Sequence, residues 1–384
     1  MTISLIGTRS EVIFGEGARH ELAPLVAKHA SPRVLLIASA SALQRADIKA
    51  LHDALVSVAD VKIWDRVTPN PRCSDIDACR QAFAGTAFSH IVGIGGGSAM
   101  DQAKATAMAL HCQADMADLL TRKSPLPSRA NTLILLPTTS GTGAELSYGA
   151  ILTNDATGEK LGLRGANNAA DHALVDPELT YGLPEKDSMT TGFDALTHAI
   201  ETWLSSAASP YTKDLSRGAI ERVFRWLPVV RRDPGDPEAR RQMAYTSMMM
   251  GVNLALSTTC MPHRLQYPIG AATDTAHAAG LAAIYPAWLD HVLPFASSRL
   301  AECADWIGIA VGQDEAERAA AFVAAVKALQ RQIDLTPSLA DLGVTEDMIT
   351  HFPQEVSGRL DTDPGYRSPD DIAAIYQKAF YARA

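Results

Sequence analysis

Thr191-Gly-Phe-Asp194-Ala-Leu-Thr-His198-Ala-Ile-Glu-Thr-Trp203 carries apolar residues (Phe193, Leu196, Ala199, Ile200, Trp203) at helical spacing, the pattern of a buried amphipathic helix. Asp194 and His198 are four residues apart, so they project together from consecutive turns. A carboxylate and an imidazole on an otherwise apolar helix are unfavourable unless something holds them. An isolated helical histidine is more often a hydrogen-bonded core or surface residue than a ligand. A divalent ion would hold the pair, and further ligands should then lie elsewhere. The segment from Met261 to His277 offers His263 and His277 among apolar and small residues. One Asp and three His suit Fe(II) or Zn(II).

Working outward, residues 1–183 alternate short apolar runs with helical patterns. The runs are Glu11–Phe14, Arg33–Ala38, Val61–Trp64, Ile91–Ile94 and Leu133–Leu136. This alternation predicts a parallel sheet with helices on both faces. From about Pro184 to Ala384 the period becomes helical throughout, with Pro184, Pro228, Pro294 and Pro337 read as stops. The expected architecture is therefore an α/β domain over 1–183 and an all-helical domain over 184–384.

Two loops follow predicted strands. Gly95-Gly96-Gly97-Ser98 opens a helix, where backbone N–H groups and the helix dipole suit a phosphate and Ser98 is a candidate cap. The spacing departs from the G-x-G-x-x-G fingerprint. Asp101, one turn in, either offsets the helix dipole or meets a ligand. Thr138-Thr139-Ser-Gly-Thr142-Gly143-Ala-Glu145 is the second loop, at another strand's carboxyl end, where ligands of open parallel sheets bind. Lys160 follows the turn Asn154–Gly158 and reads by default as a solvated surface lysine.

Net charge is −9 with no basic stripe, which argues against nucleic acid as a partner. Five scattered cysteines without a CxxC pair fit a reduced, cytoplasmic setting. The amino terminus lacks a signal-peptide pattern, and no apolar run approaches the roughly 20 residues needed to span a bilayer.

Together, Gly95–Lys104, Pro137–Glu145, Ala173–Pro177, Gly192–Glu201 and His263–Gly280 resemble the iron-dependent (group III) alcohol dehydrogenase family, in family order along nearly the whole chain. The resemblance implies a dinucleotide-binding amino-terminal domain and a helical carboxyl-terminal domain, with Asp194, His198, His263 and His277 as metal ligands. It implies that Gly96, Gly97 and Ser98 lie at the pyrophosphate loop, and Thr138, Thr139 and Thr142 at a second cofactor loop; Asp101 stays a candidate cofactor contact from its place on the helix. Ser147, Lys160 and Leu179 fall where relatives approach the nicotinamide ribose or adenosine. Many members carry His where this chain has Tyr267, which is either a proton relay or a packing residue. The Tyr-Pro-Ile segment is similar to hydroxyacid–oxoacid transhydrogenases of the same family. Many members also carry Asp after the second strand, where it repels a 2′-phosphate. Ser39 stands there, near Arg45, which admits NADP(H) as well as NAD(H).

The implied activity is metal-dependent hydride transfer between NAD(P) and a small alcohol/aldehyde or hydroxy acid/oxo acid, by a homodimer or larger homo-oligomer. Maleylacetate reductase-type or transhydrogenase-type chemistry, a cyclising lyase and a non-catalytic cofactor-binding role are the alternatives.

Overall fold

The computed structural model describes residues 8–310 and 312–382, which fall into two compact units meeting in sequence at Leu183 and Pro184. In the first unit the strands are β1 (Glu11–Phe14), β2 (Arg33–Ile37), β3 (Asp60–Trp64), β4 (His90–Gly95), β5 (Thr132–Pro137), β6 (Gly149–Thr153), β7 (Lys160–Arg164) and β8 (His172–Val175). Its helices are α1 (Leu22–Ala27), α2 (Ala46–Val56), α3 (Cys73–Ala82), α4 (Gly97–Ala109) and α5 (Met116–Leu120).

Six strands form a parallel sheet in the order β1-β8-β5-β4-β2-β3. Residues alternate between its faces as the period of two requires. Val34 and Leu36 pack toward Leu22 and Val26 of α1 and Ile48 and Leu51 of α2. Leu35 and Ile37 pack toward Cys79 of α3 and Ala99 and Ala103 of α4. Both faces are thus covered, which explains why these strands read as continuous apolar runs. The chain runs from β2 outward to β3, then returns past β2 to β4, so the winding reverses between β2 and β4. Ligands of open α/β sheets bind outside the carboxyl ends of strands at such a switch point.

The β6–β7 hairpin is antiparallel and separate from the sheet. It alters one expectation: Lys160, the first residue of β7, is buried rather than solvated, and its Nζ donates to Asn70 Oδ1 at 2.6 Å.

The second unit comprises α6 (Glu185–Leu204), α7 (Pro210–Arg232), α8 (Pro237–Leu256), α9 (Met261–Thr273), α10 (His277–Val292), α11 (Ser297–Trp306), α12 (Glu315–Gln332), α13 (Glu346–Glu355) and α14 (Pro369–Tyr381). Pro228 does not stop α7, which continues to Arg232. α9 likewise runs through Pro268, and no periodicity in the sequence announced it. Its start has a local cause, because Pro262 sits in the first turn, where a missing N–H forfeits no helical bond. One apolar core joins Phe193, Leu196 and Ile200 of α6 to Leu265 and Ile269 of α9 and to Ile284, Tyr285 and Trp288 of α10. This core fixes the relative placement of the three histidine-bearing helices.

Candidate active site

α6 begins after Pro184, with Glu185 and Asp187 in its first turn opposing the partial positive charge of the helix start. Asp194 is 1% exposed, and neither of its carboxylate oxygens has a hydrogen-bond partner among the described residues. Burial pushes its carboxyl above the ordinary range. Around Oδ1 stand three ring nitrogens: Nε2 of His198, of His263 and of His277, each at 3.9 Å. That separation is too long for a hydrogen bond. It suits donors that share an ion at roughly 2.0–2.2 Å from each.

Asp194, His263 and His277 offer donor atoms all within 4.8 Å of one another, and His198 joins this group through the carboxylate. The His198 and His263 rings stack at 4.5 Å between centroids. An unbonded buried carboxylate faced by imidazole nitrogens is the donor set a borderline divalent cation requires, so the residues fit the ion that the resemblance implies.

The outer nitrogens of two histidines are held in place. His263 Nδ1 lies 2.8 Å from Glu201 Oε1, while Oε2 of the same carboxylate accepts the Cys260 N–H at 2.9 Å. Burial, then the nearby Asp363, pushes the Glu201 carboxyl well above its usual range. Asp363 accepts the Met261 N–H and the Trp288 indole N–H, each at 2.9 Å, so two carboxylates anchor the start of α9. His277 Nδ1 lies 2.5 Å from Gln266 Oε1. Such partners leave Nε2 as the coordinating atom. Glu201, Gln266 and Asp363 did not emerge from sequence reasoning. Glu201 had a usable signal, standing seven residues after Asp194 on the same helical face, and Gln266 stands three after His263. Asp363 had none.

Tyr267, one turn after His263, is buried, and its hydroxyl oxygen accepts from Arg264 Nη1 at 3.3 Å. Arg264 Nη2 also donates to Thr258 Oγ1 at 3.0 Å. Cys260 is buried in the core.

In the first unit, β4 ends at Gly95, whose φ of 150° favours glycine. Gly96 is the cap position of α4; no side chain caps it, and no acidic residue lies in the first turn. Ser98 therefore sits inside the helix and does not cap it, contrary to the sequence expectation. The uncapped N–H groups at the switch point form an anion-binding start. The second loop touches the first: Thr138 N–H donates to Gly95 O at 2.8 Å. Cβ atoms built at Gly96 and Gly97 would meet Thr139 Cγ2 at 3.3 Å and Thr142 Cγ2 at 2.9 Å.

Asp101 faces inward, accepting the Ile151 N–H at 2.9 Å and lying 3.8 Å from Lys104 Nζ. Lys104 is wholly buried and donates to Gly149 O at 2.7 Å and Ser147 Oγ at 3.2 Å. Burial lifts Asp101 to about 6 and Glu145 to about 7, and it lowers Lys104. Ser39 Oγ accepts the Ala42 N–H at 3.2 Å. Leu179 is buried, and its carbonyl accepts from Arg45, which also pairs with Asp47.

The family profile "Iron-containing alcohol dehydrogenase" matches residues 9–177, and "Fe-containing alcohol dehydrogenase family, C-terminal" matches 188–380. The 1,3-propanediol dehydrogenase of Klebsiella pneumoniae is 28% identical over 338 residues, 86% of each chain. The crystal structure of a 1,3-propanediol oxidoreductase has a TM-score of 0.91 at 25% identity, covering 99% of this chain and 100% of that one. That of sulfoacetaldehyde reductase from Bifidobacterium kashiwanohense, in complex with NAD+, has a TM-score of 0.89 at 25% identity, with both chains fully covered. No described helix is long and apolar enough to cross a membrane. With profiles matching in both of its units, the chain belongs to the iron-containing alcohol dehydrogenase family and is an NAD(P)-dependent alcohol dehydrogenase acting on small molecules.

Proposed function

We propose that Asp194, His198, His263 and His277 hold one divalent ion, Fe(II) first and Zn(II) second, in an enzyme that interconverts a small primary alcohol and its aldehyde. The observation that carries this reading is the placement of three ring nitrogens at 3.9 Å from one buried carboxylate oxygen with no hydrogen bond of its own. When bound, such an ion supplies Lewis acidity at the substrate oxygen, and a nicotinamide dinucleotide supplies the hydride chemistry. The protein's part is to hold the ligands in one tautomer and to receive or release a proton.

Tyr267 is assigned as a proton relay. It shares a helical face with His263, and because its oxygen accepts from Arg264, its own O–H remains available to donate. For the dinucleotide, Gly96, Gly97 and Ser98 cradle the pyrophosphate at the start of α4, with Asp101 bracing that helix against β6. Thr138, Thr139 and Thr142 line the adjoining loop. Ser147 and Lys160, tied to Lys104 and Asn70, shape its far side, while Ser39 and Leu179 bound the adenosine end. We further read the chain as a cytoplasmic homodimer or larger homo-oligomer, which light scattering after size exclusion tests.

The central experiment is metal removal. Dialysis against a strong chelator should abolish alcohol oxidation, and Fe(II) or Zn(II) should restore it, with Asp194→Asn refractory to restoration. Loss of several kcal/mol of Lewis-acid stabilisation corresponds to roughly a thousandfold or more in kcat. Undiminished turnover in metal-free protein would refute the assignment and favour a metal-independent reductase.

A further inference from the structure

Gln266 is fully buried on α9, yet its Nε2 has no hydrogen-bond partner among the described residues. An unmet buried donor is unfavourable, so the side chain needs a reason to be polar. Its Oε1 supplies one, accepting from His277 Nδ1 at 2.5 Å. His277 is the first residue of α10 and, at 32% side-chain exposure, the least enclosed of the three histidines; those of His198 and His263 are 6% exposed. Packing therefore constrains its ring least, and a directional partner has the most to contribute. The orientation of the amide matters too. Turned end for end, it would present N–H to Nδ1, move the ring proton onto Nε2 and withdraw that nitrogen from coordination.

Space for the amide comes from Gly280, one turn after His277. A Cβ there would meet Gln266 Cγ at 3.0 Å and Nε2 at 3.1 Å. We propose that Gln266 is a positioning residue that locks His277 in its metal-binding tautomer and orientation, and that Gly280 is required so that the amide can reach it. The inference rests on the metal-centre reading above.

Zn(II) affinity of the full-length protein, measured by competition with a chromogenic chelator, tests this, with the visible spectrum of the Co(II) form as a second readout. Removing the partner of a metal-bound histidine typically weakens metal binding 10–100-fold. Gln266→Met, close in volume but without an acceptor, should weaken Zn(II) by at least tenfold and alter the Co(II) spectrum. Gln266→Glu, which keeps an acceptor, should recover most of the affinity. Gly280→Ala should weaken Zn(II) in the native background but add less than about threefold in Gln266→Ala, because the displaced group is already gone. Gln266→Met binding Zn(II) within threefold of the native protein, or additive effects of Gly280→Ala and Gln266→Ala, would overturn the role of Gln266. Asp194→Ala separates the two layers. If it too binds Zn(II) normally, the metal centre itself is misassigned; if it alone fails to bind, only the inference about Gln266 falls.

Discussion

Gly97→Ala probes whether the two cofactor loops act as one surface. The added methyl would lie 2.9 Å from Thr142 Cγ2 and 3.4 Å from Thr142 Cβ and Oγ1. Carbon pairs prefer 3.5–4.0 Å, so only the Cγ2 contact is severe. Overpacking of this kind costs about 1–3 kcal/mol. If the loops part in the free protein and must close on the dinucleotide, that penalty appears as weaker binding. At 1.4 kcal/mol per decade it is roughly 5–150-fold in Kd. The assay is NADH and NADPH titration by fluorescence, with bound metal measured alongside and expected to be unchanged, since the proposed ligands lie on α6, α9 and α10. Thr142→Ser removes Cγ2 but keeps the Oγ that accepts the Ala144 N–H at 3.2 Å. In that background Gly97→Ala should cost less than about threefold. Native affinity in Gly97→Ala, or no relief from Thr142→Ser, would show that the loops do not meet in the bound state.

Three more outcomes follow from the same geometry. Burial lifts Glu145 from 4.5 to about 7, so between those values the unfolded chain is mostly ionised while the folded protein keeps its proton. Its contribution to stability is thus full below pH 4 and falls as pH rises, by on the order of 3 kcal/mol in total. Thermal midpoints across this range should fall in the native protein relative to Glu145→Gln, and parallel curves would contradict the account. Ser39→Asp places a carboxylate after β2 and should weaken NADPH at least roughly tenfold more than NADH, an effect that fades with salt; equal loss of both cofactors would mean that Ser39 does not face the 2′ position. Tyr267→Phe should lower kcat by about 10²-fold or more and change its pH profile while KM stays nearly constant. An unaltered pH profile would leave the residue a packing role only.

Much of the site is written locally. Asp194 and His198 are neighbours on any helix drawn through residues 191–203, because the i,i+4 relation needs no tertiary information. The glycine turn after β4 and the hydroxyl-rich loop after β5 are equally local, since strand period and turn chemistry fix where a parallel strand ends. The covered sheet and the change to helical periodicity near Pro184 come from the same kind of pattern.

What sequence could not supply depends on distant partners. Pro228 suggested a stop and no periodicity announced α9, yet burial of Leu227, Val230, Leu265 and Ile269 keeps α7 and α9 running past Pro228 and Pro268. Lys160 reads as a surface lysine until Asn70, 90 residues away, supplies its acceptor. Glu201 meets His263 across 62 residues, and Asp363 meets Met261 across 102. The sequence alone therefore determined which groups could bind a cation and a dinucleotide. Only the packing of α6, α9 and α10 around one core decided that the histidines converge on a single carboxylate, because side chains from separate helices acquire a common direction only once those helices are locked together.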